Sequence, residues 1–193
     1  MSDLREGKMV LISGPSGAGK STVCRALLED PRLVFSISAT TRPMRAGEVD
    51  GRDYFFLTPE EFAERRGRGE FLEHAEVHGH MYGTLSAQMD AALESGHIFL
   101  LEIDVQGANQ IRAQRIPGLS IFIVPPDGEE LRRRLVGRGT DLPEVVERRL
   151  AKAEDEDRER VKYDHVVIND DLERALEEVR GLIGLGPLGE VSA

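Results

Sequence analysis

One stretch limits this chain more than any other: Gly14-Pro15-Ser16-Gly17-Ala18-Gly19-Lys20-Ser21-Thr22. It fits the phosphate-loop pattern of a glycine, four residues, Gly-Lys, then Ser or Thr. Its flanks fit as well. Lys8 to Ser13 reads as a buried strand and Ser21 to Glu29 as the helix that follows. Glycines let such a loop turn tightly and aim successive N–H groups inward, and the helix N-terminus adds its dipole, so the concavity prefers anions. In this pattern Lys20 supplies a charge at the β/γ-phosphates and the Ser21 hydroxyl ligates Mg²⁺. Lysine is scarce, four among 25 basic residues, so its place in the loop carries weight. The competing reading is a glycine-rich turn that binds nothing; the strand and helix around it favour a nucleoside triphosphate.

At 193 residues the chain can bury one sizeable core with small inserted pieces. No apolar run approaches the ~20 residues of a membrane span, and the first seven residues lack the apolar segment of a secretion signal. A cytoplasmic enzyme with no membrane partner is the expectation. Cys24 is the only cysteine, which excludes an intrachain disulfide and a cysteine zinc site. A net charge of −10 argues against a nucleic-acid partner, which would require many neutralised phosphates. A mononucleotide needs only a few local arginines.

The order of elements is βαβ at the start, which predicts a parallel sheet covered by helices. Leu33 to Ser38 reads as the second strand and Ala39 to Asp53 as a long polar loop. Tyr54 to Leu57 is a strand, and Thr58-Pro59-Glu60-Glu61 opens a helix with a capping box. Phe71 to Val77 is a strand, with a turn at His78-Gly79-His80. Then follow a helix over Ser86–Ser95, a buried strand over His97–Asp104 and a short helix over Asn109–Arg115. A strand at Leu119–Val124 precedes a helix capped by Asp127 and a charged helix from Asp141 to about Lys162. Val166–Ile168 and Leu172–Ile183 close the pattern as strand and helix.

Three clusters outside the loop carry chemistry. Arg42 and Arg45 with Tyr54 could clamp a phosphate, since guanidinium binds it bidentately and a phenol adds a donor; the alternative is a solvated loop in an arginine-rich chain. Glu102 and Asp104, two apart on a strand, face one way at the carboxyl end, where α/β sheets bind ligands. An acid there can hold Mg²⁺ through water or polarise an attacking oxygen. Arg134 and Arg138, one helical turn apart, and Arg149 could close over a triphosphate, with Gly137 and Gly139 as hinges. An exposed salt-bridged helix face competes with that reading.

These residues together resemble the guanylate kinase family of nucleoside monophosphate kinases. The resemblance rests on Gly14 to Thr22, Ser38 to Tyr54, Phe71-Leu72-Glu73, Tyr82-Gly83-Thr84, Ile103 to Gly107, Arg134 to Gly139 and Ile168-Asn169-Asp170, in order from about Lys8 to Ile183. The Arg45-Ala46-Gly47-Glu48-Val49-Asp50-Gly51 segment is its most specific part.

The resemblance implies the P-loop kinase fold, a parallel sheet flanked by helices, with an inserted GMP-binding subdomain and a helical lid. The single domain would divide into a core (about 5–37, 85–127 and 156–193), the GMP-binding subdomain (about 38–84) and the lid (about 128–155). It implies Mg-dependent transfer of the ATP γ-phosphoryl group to GMP, and to dGMP, by a monomer or homo-oligomer. Gly14, Pro15, Ser16, Gly17, Ala18, Gly19, Lys20, Ser21 and Thr22 would bind ATP, with Arg134, Arg138 and Asn169. Arg42, Arg45, Tyr54 and Tyr82 would hold the GMP phosphate. Glu73 would accept from guanine N–H groups, with Ser38 and Thr84 on the acceptor edge and Glu102 and Asp104 nearby. Lys20, Arg45, Arg134, Arg138 and Arg149 would be catalytic, and Ser21 and, through water, Glu102 would hold Mg²⁺. Glu102 stands where the family usually has Asp, His80 and Met81 where Asn and Tyr are common, and Thr84 in place of Ser.

Scaffold modules of the same superfamily bind phosphopeptides and commonly lack the intact phosphate loop present here. A related kinase with another acceptor fits Glu73 and Ser38 poorly. A GTPase switch lacks its Asn-Lys-x-Asp motif in this chain.

Overall fold

The computed structural model describes residues 7–77, 79–137 and 143–186. Its centre is a five-stranded, all-parallel sheet. The strands are β1 (Lys8–Ser13), β2 (Leu33–Phe35), β7 (Ile98–Glu102), β8 (Leu119–Val124) and β9 (His165–Ile168), in the order β2-β7-β1-β8-β9. A central parallel strand is covered on both faces and therefore reads as an unbroken apolar run. β1 is such a run, and its alternate residues go to opposite layers. Val10 and Ile12 pack with Val23 and Leu27 of helix α1 (Lys20–Leu27) and Val179 of α7 (Leu172–Leu182). Met9 and Leu11 pack with Met89 of α3 (Ser86–Glu94) and Ile111 of α4 (Val105–Ala113).

The chain leaves β1 toward β2 on one side and β8 toward β9 on the other, so the order reverses between neighbours β1 and β8. Ligands of open α/β sheets sit at such a point, beyond the carboxyl ends of the strands. The phosphate loop follows β1 there. Gly14, at φ 143°, also passes so close to β8 that a Cβ would lie 2.1 Å from the Ile123 carbonyl oxygen. No residue with a side chain fits.

A second sheet, β4-β3-β6-β5, is built from β3 (Ser38–Thr40), β4 (Phe55–Phe56), β5 (Phe71–Val77) and β6 (His80–Leu85). Helix α2 (Pro59–Gly67) packs Phe62 against Phe71 with ring centroids 4.4 Å apart. Thr58 caps α2 in a complete capping box, as its sequence requires. Helices α5 (Gly128–Val136) and α6 (Pro143–Asp157) share a small cluster of Leu131, Leu135, Val146 and Ala153.

Several expected elements change. Leu33–Ser38 is not one strand. It breaks at Ser36–Ile37, where the chain passes from the core sheet to the second sheet. The strand expected over His97–Asp104 stops at Glu102, because Asp104 caps α4 instead, accepting from the Gly107 N–H at 2.9 Å. Helix α4 accordingly begins four residues before Asn109. Strand β6 was hidden in a segment without alternation. The charged helix gives way after Asp157 to a 3-10 helix, Arg158–Lys162.

Candidate active site

The first turn of α1 opens at the loop. Its N-cap is Gly19, at φ 91°, with no side-chain cap; the Thr22 N–H turns back to the Gly19 carbonyl at 3.0 Å, and the N–H groups ahead of it in the turn are left to meet an anion. A Cβ on Gly19 would lie 2.2 Å from Asn169 Nδ2, which fixes glycine here by packing as well as by backbone angle. Lys20 is folded back on the loop, its Nζ donating to the carbonyls of Gly14 (2.6 Å) and Pro15 (3.0 Å). Burial lowers the Lys20 pKa, and the nearby Glu102 charge opposes that shift. The ammonium thus stands in a partly dry site, where its field on a phosphate is stronger than in water.

Ser21 Oγ donates to Glu102 Oε1 at 2.6 Å, joining α1 to the end of β7. With the loop they line a cavity of about 210 Å³. A hydroxyl and a carboxylate side by side are the hard oxygen donors that Mg²⁺ takes, completed by nucleotide oxygens and water rather than a protein cage. Among the described residues no group of three or more His, Cys, Asp or Glu could hold a metal ion, so a site here depends on the nucleotide.

Beside the loop an adjoining cavity of about 430 Å³ is lined by Gly17, Gly19, Thr22, Arg134, Asn169 and Asp170, among others. Asn169 and Arg134 build its wall. Asn169 Nδ2 donates to the Ala18 carbonyl (2.8 Å), and Arg134 donates to the Asn169 carbonyl (2.8 Å), the Ala18 carbonyl (3.3 Å) and Glu130 (2.6 Å). Arg149 Nη2 reaches Ser16 Oγ at 2.7 Å, so α6 touches the loop. Arg138 lies outside the described residues. A larger cavity, about 840 Å³ between α5 and α6, is lined by no residue of the phosphate loop and is separate from this chemistry.

The second sheet presents two further groups. In the first, Arg42, only 9% exposed, lies over the rings of Tyr54 (5.3 Å) and Phe56 (5.7 Å). Tyr82 stands edge-on to Tyr54 at 6.0 Å. Arg42 is held by Glu48 at 2.7 and 3.1 Å, and this pairing, with Tyr82 adding to it, keeps its pKa above the ordinary arginine value. Glu48 also accepts from the Arg45 N–H (2.7 Å), while Arg45 itself is exposed. Glu48 is the residue that sequence reading passed over. It holds the Arg42 guanidinium and the Arg45 main chain from one loop, and a carboxylate three and six residues beyond two arginines is the signal it left.

In the second group, Glu73, Thr84 and Ser38 meet across neighbouring strands: Ser38 opposite Thr84, and Thr84 opposite Glu73. Glu73 is 8% exposed and accepts from Thr84 Oγ1 at 2.8 Å. Its pKa is raised, first by burial and further by Asp104, with Thr84 opposing. A buried carboxylate held by Thr84 has acceptor capacity left for a ligand's N–H groups. Glu102 and Asp104 do not form the strand pair that their spacing suggested. Glu102 faces Ser21, and Asp104 caps α4 near Glu73.

A phosphate loop at a sheet's switch point, beside a separate cradle of guanidinium, phenols and a buried acid, defines a phosphoryl-transfer enzyme of the P-loop kinase class. The family model described as Guanylate kinase matches residues 6–184. A guanylate kinase of Rubrobacter xylanophilus is 50% identical over 177 residues, 91% of this chain and 93% of that one. One from Symbiobacterium thermophilum is 48% identical over 179 residues, 92% and 85% of the two chains. The crystal structure of guanylate kinase from Anaplasma phagocytophilum superposes with a TM-score of 0.73 at 36% identity, covering 93% of this chain and 86% of that one. The chain belongs to the guanylate kinase family.

Proposed function

We propose that ATP and GMP bind end to end, with the phosphate loop and the second sheet each holding one nucleotide. As a guanylate kinase the chain is an ATP:GMP phosphotransferase, a nucleoside monophosphate kinase of purine metabolism. The observation that carries the residue assignment is the buried Glu73, with capacity to accept beyond its Thr84 bond. Guanine offers a ring N–H and an exocyclic amine to such a carboxylate. Adenine offers neither there and would leave it unpaired, which discriminates strongly.

Main-chain N–H groups of the loop and of the first turn of α1, Pro15 having none, cradle the ATP phosphates, and Lys20 leaves the loop carbonyls to meet the β/γ oxygens. Arg134 and Asn169 line the cavity that takes the adenine end. Arg149, with Arg138, brings positive charge to the transferring group, where it counts most in the transition state. Arg42, Arg45, Tyr54 and Tyr82 hold the GMP phosphate so that its oxygen attacks in line. Ser38 and Thr84 meet the guanine acceptor edge. Ser21 and, through water, Glu102 would hold Mg²⁺, whose charge offsets that of the phosphates. The divisions at about 38–84 and 128–155 then serve as GMP-binding and lid subdomains around the core. The readers fall on base and phosphate, so dGMP is a second acceptor. The two nucleotides are water-soluble, and the reaction is assigned to the cytoplasm on that ground. Separately, no helix among the described residues is long and apolar enough to cross a membrane.

A coupled assay offering GMP, AMP, CMP and UMP with MgATP tests this. Turnover with GMP far above the other three is expected. Equal turnover with AMP would remove Glu73 from its role.

A further inference from the structure

Strand β5 lies at the edge of the second sheet, so the main-chain groups on its outer side have no strand partner. Helix α4 supplies one. Gln110 Oε1 accepts from the His74 N–H at 3.1 Å while its Nε2 donates to the His74 carbonyl at 2.8 Å. The side-chain amide thus copies the pairing of a neighbouring strand. Gln114 Nε2 donates to the Leu72 carbonyl at 2.6 Å. The residue between these two anchor points is Glu73.

The anchors fall where the ladder is irregular. Phe71 pairs with Leu85 and Glu73 with the next residue, Thr84, leaving Leu72 as an extra residue in β5. Such a bulge re-aims the side chains beside it, and Gln114 holds the carbonyl of the bulged residue. Gly107, Gln110 and Gln114 lie three and four residues apart, on one face of α4. At Gly107 the helix comes so near that a Cβ would stand 2.8 Å from Glu73 Oε2. The same device recurs on α3, where Gln88 pairs with both main-chain groups of Ile37, at 2.9 and 2.8 Å, beside Ser38.

We propose that Gln110 and Gln114 are positioning residues for guanine selection: their amides dock the bulged edge of β5 onto α4 and so set where the Glu73 carboxylate points. Asp104, the N-cap of α4, follows two residues after Glu102, which is bonded to Ser21 of the loop. The base-reading acid is therefore aligned with the phosphate loop through this face of the helix. The inference rests on Glu73 being the guanine reader.

The test compares GMP with IMP, which keeps the ring N–H and lacks the exocyclic amine, at saturating MgATP. Gln110→Met keeps length and volume and removes both bonds; Gln114→Met removes one and decides the matter if the first variant does not fold. The expected result is a KM for GMP raised about tenfold and a GMP-to-IMP ratio of kcat/KM lowered about fivefold, for a carboxylate moved off its donors. The KM for ATP and the circular dichroism should stay as in the parent. An unchanged GMP-to-IMP ratio overturns the proposal even if the Tm falls, because loss of packing alone lowers stability without altering base choice. Glu73→Gln is run alongside. If it collapses the ratio and neither glutamine variant does, the positioning role fails and the base reader stands. If Glu73→Gln leaves the ratio intact, both fall.

Discussion

Replacing Glu73 by Gln separates function from stability most sharply. The parent carboxylate is 8% exposed and accepts from the Thr84 hydroxyl at 2.8 Å. Glutamine can keep that bond through its carbonyl oxygen, which places an NH₂ where the second oxygen would meet the guanine donors of the proposed site. Two hydrogen bonds to a charged group are then lost, each worth about 1.5–3 kcal/mol. The sum is about 3–6 kcal/mol, and at about 1.4 kcal/mol per tenfold kcat/KM for GMP falls by ~10²–10⁴. Stability moves the other way. The substitution removes a buried charge whose ionisation burial and Asp104 both disfavour, so the Tm should hold or rise. Steady-state kinetics with GMP and IMP, alongside thermal melts, provide the readout. A large fall in kcat/KM at unchanged KM for ATP and undiminished Tm is expected. An unchanged GMP-to-IMP ratio would remove Glu73 from base recognition, and a variant that simply unfolds would overturn the expected effect on stability.

Three other perturbations follow from the same contacts. Lys20→Ala removes the loop ammonium, and turnover should fall by ~10²–10³ or more, while calorimetry shows GMP affinity nearly intact; lost GMP binding would contradict the placing of Lys20 on the ATP side. Because the Glu73 pKa is raised in the fold, folding takes up a proton between the ordinary glutamate value and the raised one. Stability from this group therefore falls as pH rises through that window, and GMP affinity, which needs the ionised form, rises. Titrating both in the parent and in Glu73→Gln should show the two slopes vanish in the variant. Asp30 and Arg180 form a buried pair, 5% and 7% exposed, at 3.2 Å. Asp30→Ala strands the Arg180 charge and should cost about 3–5 kcal/mol in chemical denaturation. Arg32, then Arg180, hold the Asp30 carboxyl well below the usual range. The parent's advantage is thus full above the ordinary aspartate pKa and fades as pH falls below it; a gap independent of acid would count against this.

The core and the loop were legible because their causes are local. An apolar run on a parallel strand, a glycine spacing and a capping box each fix structure within about ten residues, and β1, α1 and α2 follow their sequences closely. The second sheet was less legible. Its strand β6 pairs on one side with the distant β3, Ser38 opposite Thr84, and its register with its hairpin neighbour β5 includes a bulge that no alternation pattern announces. Glu102 and Asp104 show the limit of a spacing argument. Residues two apart share a face only while the strand lasts, and Asp104 forms a better bond as a helix cap. Gln88, Gln110 and Gln114 were invisible for another reason. A glutamine on a helix face is ordinary until an unpaired strand edge is brought against it.

With a nucleotide in each half of the site, one phosphoryl group should pass directly from ATP to GMP. Label placed on the terminal phosphorus of ATP should appear in GDP, in the presence of GMP and magnesium, one for one with ADP formed. Label that stays on ATP, or is released as inorganic phosphate while GMP is untouched, would contradict the account.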